Sequence, residues 1–251
     1  MPATPGLTIR DLTEALGALG LAAGDAVEVH SSLSSLGHVA GGAETVVDAL
    51  MAVVDPQGAI VMSAFNISRA LPLTDAEREA GIVTKVRWMP DDYVGPTGMG
   101  AVADAFRARS DVLVGPGEHR VAAWGCEAAQ HSQSLDYLLA HDGKALLIGT
   151  GIHTLTAMHY AEHVGVPAEV SAYWEAGKTL RRQYGHDYYL NCGSTPDDGW
   201  QKVFDEAQQR GLVQSGLIGQ AQCYLLDVAP VVAIYEDALR TDPLGLFGIV
   251  G

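Results

Sequence analysis

The chain has 251 residues, 48% of them hydrophobic and 18% charged, with a formal net charge of −15. That length carries one large α/β domain with a full core, and the composition is that of a globular rather than a disordered chain. The charge repels nucleic acid and anionic membrane, and no apolar run reaches the roughly 18 residues of a membrane span, so neither partner is expected.

Met1-Pro2-Ala3-Thr4-Pro5 lacks the basic-then-apolar pattern of a leader. Cys126, Cys192 and Cys223 are widely spaced and read as reduced, buried thiols. Both features point to the cytoplasm.

Thr8 caps a predicted helix to Leu19, with Ile9, Leu12, Leu16 and Leu19 along one face. A short strand over 26–30 runs into a serine-rich turn. Gly41-Gly42 lead into a helix to Val54 with Val46, Val47, Leu50 and Met51 inward, and the turn Asp55-Pro56-Gln57-Gly58 precedes a buried strand over 59–63. Residues 66–97 have no clear period and carry Pro72, Trp88, Pro90 and Pro96; so long an irregular insertion reads as a substrate loop. A helix over 98–108 follows, then extended segments at 112–114 and 121–124, a buried strand over 144–149 and a helix over 154–163. Residues 170–184 read as a hairpin turning at Ala176-Gly177. Asp198 caps a helix containing Trp200, Val203, Phe204 and Ala207, a strand covers 219–226, and a helix over 228–239 closes the chain. Alternating strands and helices imply an α/β fold: one layered domain over 1–251 with a central mixed sheet flanked by helices.

Three segments carry chemistry. The first, Val29-His30-Ser31-Ser32-Leu33-Ser34-Ser35-Leu36-Gly37, ends a strand in hydroxyls and backbone N–H groups that suit phosphate or amide ligands without cationic side chains; a self-capping polar connection is the plainer alternative. The second, His159-Tyr160-Ala161-Glu162-His163, has the His-x-x-Glu-His pattern of a zinc hydrolase, with Glu236 downstream as a third ligand. Helix-surface histidines are its plainer alternative. The third, Tyr184-Gly185-His186-Asp187-Tyr188, offers a carboxylate that fixes the tautomer of a catalytic histidine.

Together with Gly41-Gly42-Ala43-Glu44-Thr45, Val121-Ala122-Ala123-Trp124-Gly125, Gly143-Lys144-Ala145-Leu146-Leu147-Ile148-Gly149, Leu155-Thr156-Ala157-Met158-His159 and Gly219-Gln220-Ala221-Gln222-Cys223, in this order, these segments resemble the aminoglycoside 3-N-acetyltransferase family over nearly the whole chain. The resemblance implies acetyl-CoA as donor, the 3-amino group of a cationic 2-deoxystreptamine aminoglycoside as acceptor, antibiotic resistance as the outcome, and no metal. It places the general base on His159 and its supporting carboxylate at Asp187, with His186 and Glu162 as rivals for that place. It assigns His30, Ser31, Ser32, Leu33, Ser34 and Thr156 to the donor. Oxyanion donors are expected among the Ser31-Ser32 N–H groups or at Thr156. The acceptor contacts expected are Asn66, Asp91, Asp92 and Glu162, and the −15 charge suits a polycation. Other amines, a zinc hydrolase using His159, Glu162 and His163, and a non-catalytic binding module are the competing expectations.

Overall fold

Alternating side chains in the strand Ala26–Ser31 send Val27 and Val29 into one hydrophobic cluster, while Glu28 and His30 point to the opposite face. The computed structural model, which describes residues 6–250, makes this strand the centre of a seven-stranded sheet. Met1-Pro5, where no leader is read, lies outside the described residues. Strands in chain order are β1 (Ala26–Ser31), β2 (Ala59–Ser63), β3 (Thr84–Arg87), β4 (Leu113–Val114), β5 (Val121–Gly125), β6 (Lys144–Ile148), β7 (Tyr188–Asn191), β8 (Val213–Ile218) and β9 (Ala221–Asp227). The large sheet has the order β4-β5-β2-β1-β6-β9-β8. Its central β2, β1 and β6 are parallel, and the outer strands add antiparallel, so the expected mixed sheet is present.

Helices cover both faces. Ile9–Leu19, held by the Thr8–Asp11 capping box, packs with Ala43–Val54 and Ala101–Arg107 over Val27, Val29 and Met62. On the other face Val228–Thr241 and Gly199–Gln209, the latter capped by Asp198, close over Ala145, Leu147 and Leu226. Helices on both sides make central strands continuously apolar, which is why Ala59–Ser63 is buried along its whole length.

Several expected elements differ. Residues 170–184 are not a hairpin: they form the helical turns Ala168–Ser171 and Lys178–Tyr184. Leu180 and Tyr184, one helical turn apart, pack together against Ile82, Ala176 and Leu190, a pairing that an extended strand would break. The irregular stretch 66–97 contains the helix Asp75–Glu79 and β3, which pairs with β7 a hundred residues on, as Thr84 opposite Asn191 shows. β8, an edge strand with Gly216 inside it, was not expected at all. Of the three cysteines expected to be buried, Cys126 is exposed, Cys192 is half-buried and Cys223 is buried; all three are free.

Residues 152–164 form 3₁₀ turns, Ile152–Thr154 and Thr156–Val164, not the expected α-helix. A 3₁₀ run of this length is uncommon and eclipses side chains three apart. It places Glu162 directly beneath His159, and His163 falls a third of a turn away.

Candidate functional site

The parallel strands end together. β1 leads into the serine turn and the helix over one face, whereas β6 leads into the 3₁₀ turns on the other. The crevice between two such divergent carboxyl ends is where open α/β sheets bind ligands. Gly149 makes the approach tight: its φ is +61°, and a Cβ there would lie 2.4 Å from Ser35 Cβ. Ser35 Oγ donates to Gly149 O at 3.2 Å and lies 2.8 Å from Ser32 Oγ, which fixes the turn against β6.

A central cavity of about 300 Å³ occupies the crevice, walled by His30, Ser31, Ser63, Thr156, His159 and Trp200 among others. Three larger clefts share its walls. A serine cleft of about 850 Å³ is lined by Ser31, Ser32, Leu33, Ser34, Gly42 and Arg69, and meets the central cavity at Ser31 and Thr154. A polar cleft of about 870 Å³, carrying Glu162, Glu175, Asp198 and Arg181, meets it at His153, His159 and Trp200. An apolar cavity of about 550 Å³ meets it at Phe65, Met99, Thr156 and His159. His159 is the residue shared by the central, polar and apolar spaces.

His159 Nδ1 lies 3.1 Å from Glu162 Oε2. A carboxylate accepts from that nitrogen, so the proton sits on Nδ1 and the Nε2 lone pair is left free. Trp200 packs edge-on to the imidazole, with ring centroids 4.9 Å apart. Glu162 is held from behind: the buried Tyr235 hydroxyl lies 3.4 Å from Oε1, and burial pushes that phenol's pKa up, so it stays a donor.

A second pair lies below. Glu28 is fully buried, and its Oε1 is 2.7 Å from His30 Nε2. Nε2 donates to the carboxylate, which leaves the Thr156 N–H to donate to the same oxygen at 3.2 Å. Sequence reasoning missed Glu28. Its signal was a charge inside Val27-Glu28-Val29, a strand that must be covered on both faces and therefore must pair its charge. These contacts also remove two expected oxyanion donors: the Thr156 N–H is occupied, and the Ser32 N–H donates to Ile148 O at 2.8 Å. The hydroxyl pair Ser63 Oγ and Thr156 Oγ1, 2.8 Å apart, lines the same cavity as Ser31 and offers a further donor. One O–H is used between them, and the other is free to face the cavity.

Of the expected site residues, His30, Ser31, Thr156 and His159 come together in the central cavity, with Ser32, Leu33 and Ser34 in the adjoining cleft. Asp187 does not join them: it lies in an exposed 3₁₀ turn before β7, its carbonyl accepting from the Trp88 N–H, and His159 has Glu162 instead. His186 shares that turn. Asn66 is buried with its amide turned to the carbonyls of Met89 and Pro90, Asp91 pairs with Arg120 at 2.7 Å, and Asp92 is exposed; none of them lines a cavity that His159 lines. The acidic groups that share the polar cleft with His159 are Glu162, Glu175 and Asp198, two of them unforeseen, and of these Glu162 contacts the imidazole. The zinc arrangement is not formed. His163 Nδ1 bonds Tyr160 O at 2.7 Å, and among the described residues no group of three His, Cys, Asp or Glu side chains is placed to hold a metal ion.

The family model described as aminoglycoside 3-N-acetyltransferase matches residues 29–240. Aminoglycoside N(3)-acetyltransferase III of a Salmonella species is 31% identical over 90% of this chain and 88% of its own length. The crystal structure of the YokD protein from Bacillus subtilis superposes with a TM-score of 0.70 at 25% identity, over 95% of this chain and 96% of that one. Aminoglycoside acetyltransferase AAC(3)-IVa, as apoenzyme, gives 0.71 at 22% identity over 98% and 93%, a likeness of fold. No helix among the described residues is long and apolar enough to cross a membrane. With the family model spanning most of the chain and the crevice geometry in place, the chain belongs to the aminoglycoside 3-N-acetyltransferase family of acyltransferases.

Proposed function

We propose that the chain transfers the acetyl group of acetyl-CoA to the 3-amino group of a 2-deoxystreptamine aminoglycoside, with His159 as general base and Glu162 as its supporting carboxylate. The observation that carries this reading is the His159–Glu162 contact at the junction of the clefts. Relatives support the two substrates: one solved relative is described as binary with CoASH, another as a complex with gentamicin.

The donor takes the serine cleft. Gly42 begins the twelve-residue helix Ala43–Val54 with no side-chain cap, so its first N–H groups are open to an anion, and Arg69 lines the same cleft. The pantetheine arm then runs past Ser31 and Thr154 to the central cavity. The acceptor takes the polar cleft, where Glu162, Glu175 and Asp198 outnumber Arg181 and favour a polycation. His159 Nε2 removes a proton from the attacking amine, and Glu162 stabilises the imidazolium that results. The free O–H of the Ser63–Thr156 pair faces the carbonyl oxygen as negative charge builds on it. Glu28 holds His30 and the Thr156 backbone still, so that this pair is fixed before substrate arrives. The free thiols suit a cytoplasmic setting, and acetylation of the drug there confers resistance.

Incubation with acetyl-CoA and a panel of aminoglycosides, followed by mass spectrometry, tests the reading. Singly acetylated product modified at the 3-amino group is expected. Absence of product with every acceptor contradicts the reading.

A further inference from the structure

Donor and acceptor leave the apolar cavity of about 550 Å³ unused. Its walls include Phe65, Ile67, Val86, Trp88 and Leu135, and His119 is wedged edge-on between Phe65 and Trp88 with centroids 5.0 and 5.5 Å away. Among the described residues no carboxylate lines it, so an ammonium entering it would lose hydration without gaining a counter-charge. It adjoins the central cavity at Thr156 and His159, where the thioester carbonyl must sit for the base to act.

We infer that this cavity is an acyl-chain pocket and that the enzyme transfers acyl groups longer than acetyl. The inference rests on the reading of His159 as base and on the donor and acceptor clefts assigned with it. During transfer the carbonyl carbon carries four substituents. Sulfur points back along the serine cleft, nitrogen arrives from the polar cleft, and oxygen faces the Ser63–Thr156 hydroxyls. The remaining direction, toward Phe65 and Met99, belongs to the acyl chain, and there the space is apolar and far larger than one methyl group. The chemistry is unchanged by chain length. The amine nitrogen attacks the carbonyl carbon, the C–N bond forms and the C–S bond breaks. The amine proton passes to His159 and then to the departing thiolate of CoA, giving amide and free thiol.

The test compares acetyl-CoA, butyryl-CoA and hexanoyl-CoA with one aminoglycoside acceptor, together with their dissociation constants in calorimetry. Each methylene buried adds to affinity, so hexanoyl-CoA is expected to bind about tenfold or more tightly than acetyl-CoA. It is also expected to be turned over with a kcat/KM no more than about tenfold lower. Ile67→Trp, which fills the pocket, should cut the hexanoyl-to-acetyl ratio at least about tenfold in both measurements. Equal or weaker binding of hexanoyl-CoA, or an unchanged ratio in the variant, overturns the proposal. If acetyl-CoA itself is not turned over, the base assignment fails, and the binding ratios still decide the pocket. Should hexylamine be acetylated in place of the aminoglycoside, with its KM raised by Ile67→Trp and the acyl ratio untouched, the cavity holds an apolar acceptor and the acyl proposal is wrong.

Discussion

Glu162 is the residue on which the catalytic account depends after His159. Its two oxygens are divided between the His159 imidazole and the Tyr235 hydroxyl, so it orients that ring and is itself oriented. Replacing it by Gln keeps the shape and removes the charge that stabilises the imidazolium. Steady-state kinetics of Glu162→Gln should show kcat reduced about tenfold to a hundredfold with KM for the donor nearly unchanged. Replacing Asp187 by Asn, in its exposed turn, should leave kcat within about twofold. A larger loss at Asp187 than at Glu162 would reverse the assignment. The resemblance pointed to His159 as the base, and its partner was legible only as a choice among Asp187, His186 and Glu162. Position 162 lies one turn from 159 on the same helical segment, whereas 186 and 187 sit in a separate turn before β7 whose place relative to 159 no local pattern reveals. Glu28 shows the converse: a strand pattern reads a charge between two valines as solvent-facing, and only the covering layer makes it a buried partner of His30.

At the scale of elements, the small β3–β7 sheet and the helices around it frame the apolar cavity and the polar cleft. Glu77 ties them together. It completes the capping box of Asp75–Glu79 with Thr74, accepts from Lys85 on β3 at 2.6 Å, and contacts the Tyr184 hydroxyl at the end of Lys178–Tyr184. The bond from Lys85 first, then that from Tyr184, lowers the Glu77 carboxyl from 4.5 to about 2. A depressed acid stabilises the folded state above its ordinary value, and that contribution fades as pH falls toward the folded one. Wild type should therefore lose more stability than Glu77→Gln as pH falls from 4.5 toward about 2, measured by urea unfolding or by exchange of the β3–β7 amides. Parallel losses in both proteins would contradict the role. None of this was visible in 66–97, because β3 and β7 are paired across a hundred residues and neither has a local alternation strong enough to stand alone. Elements closed by local signals, such as Ile9–Leu19 with its Thr8 cap and Gly199–Gln209 with Asp198, were legible to within a residue or two.

For the whole molecule, the net charge of −15 acts on the two proposed substrates with opposite signs. It draws in a polycationic acceptor and opposes a polyanionic donor. Raising ionic strength from roughly 0.05 M to 0.5 M should raise KM for the aminoglycoside several-fold and leave KM for acetyl-CoA flat or lower. Salt effects of the same sign on both would show that the charge does not steer binding. The layered α/β architecture was legible because buried central strands and amphipathic helices alternate along the chain, while the edge strand β8, polar and broken by Gly216, carries too weak a pattern to be read. Proton transfer at His159 and donor binding in a separate cleft are the two halves of the proposed mechanism. Measuring His159→Ala for both turnover and acetyl-CoA affinity tests that division most directly. In the variant kcat should fall by at least about a hundredfold, with the dissociation constant of acetyl-CoA within about threefold of wild type. Full turnover in the variant, or loss of donor binding in step with activity, would contradict it.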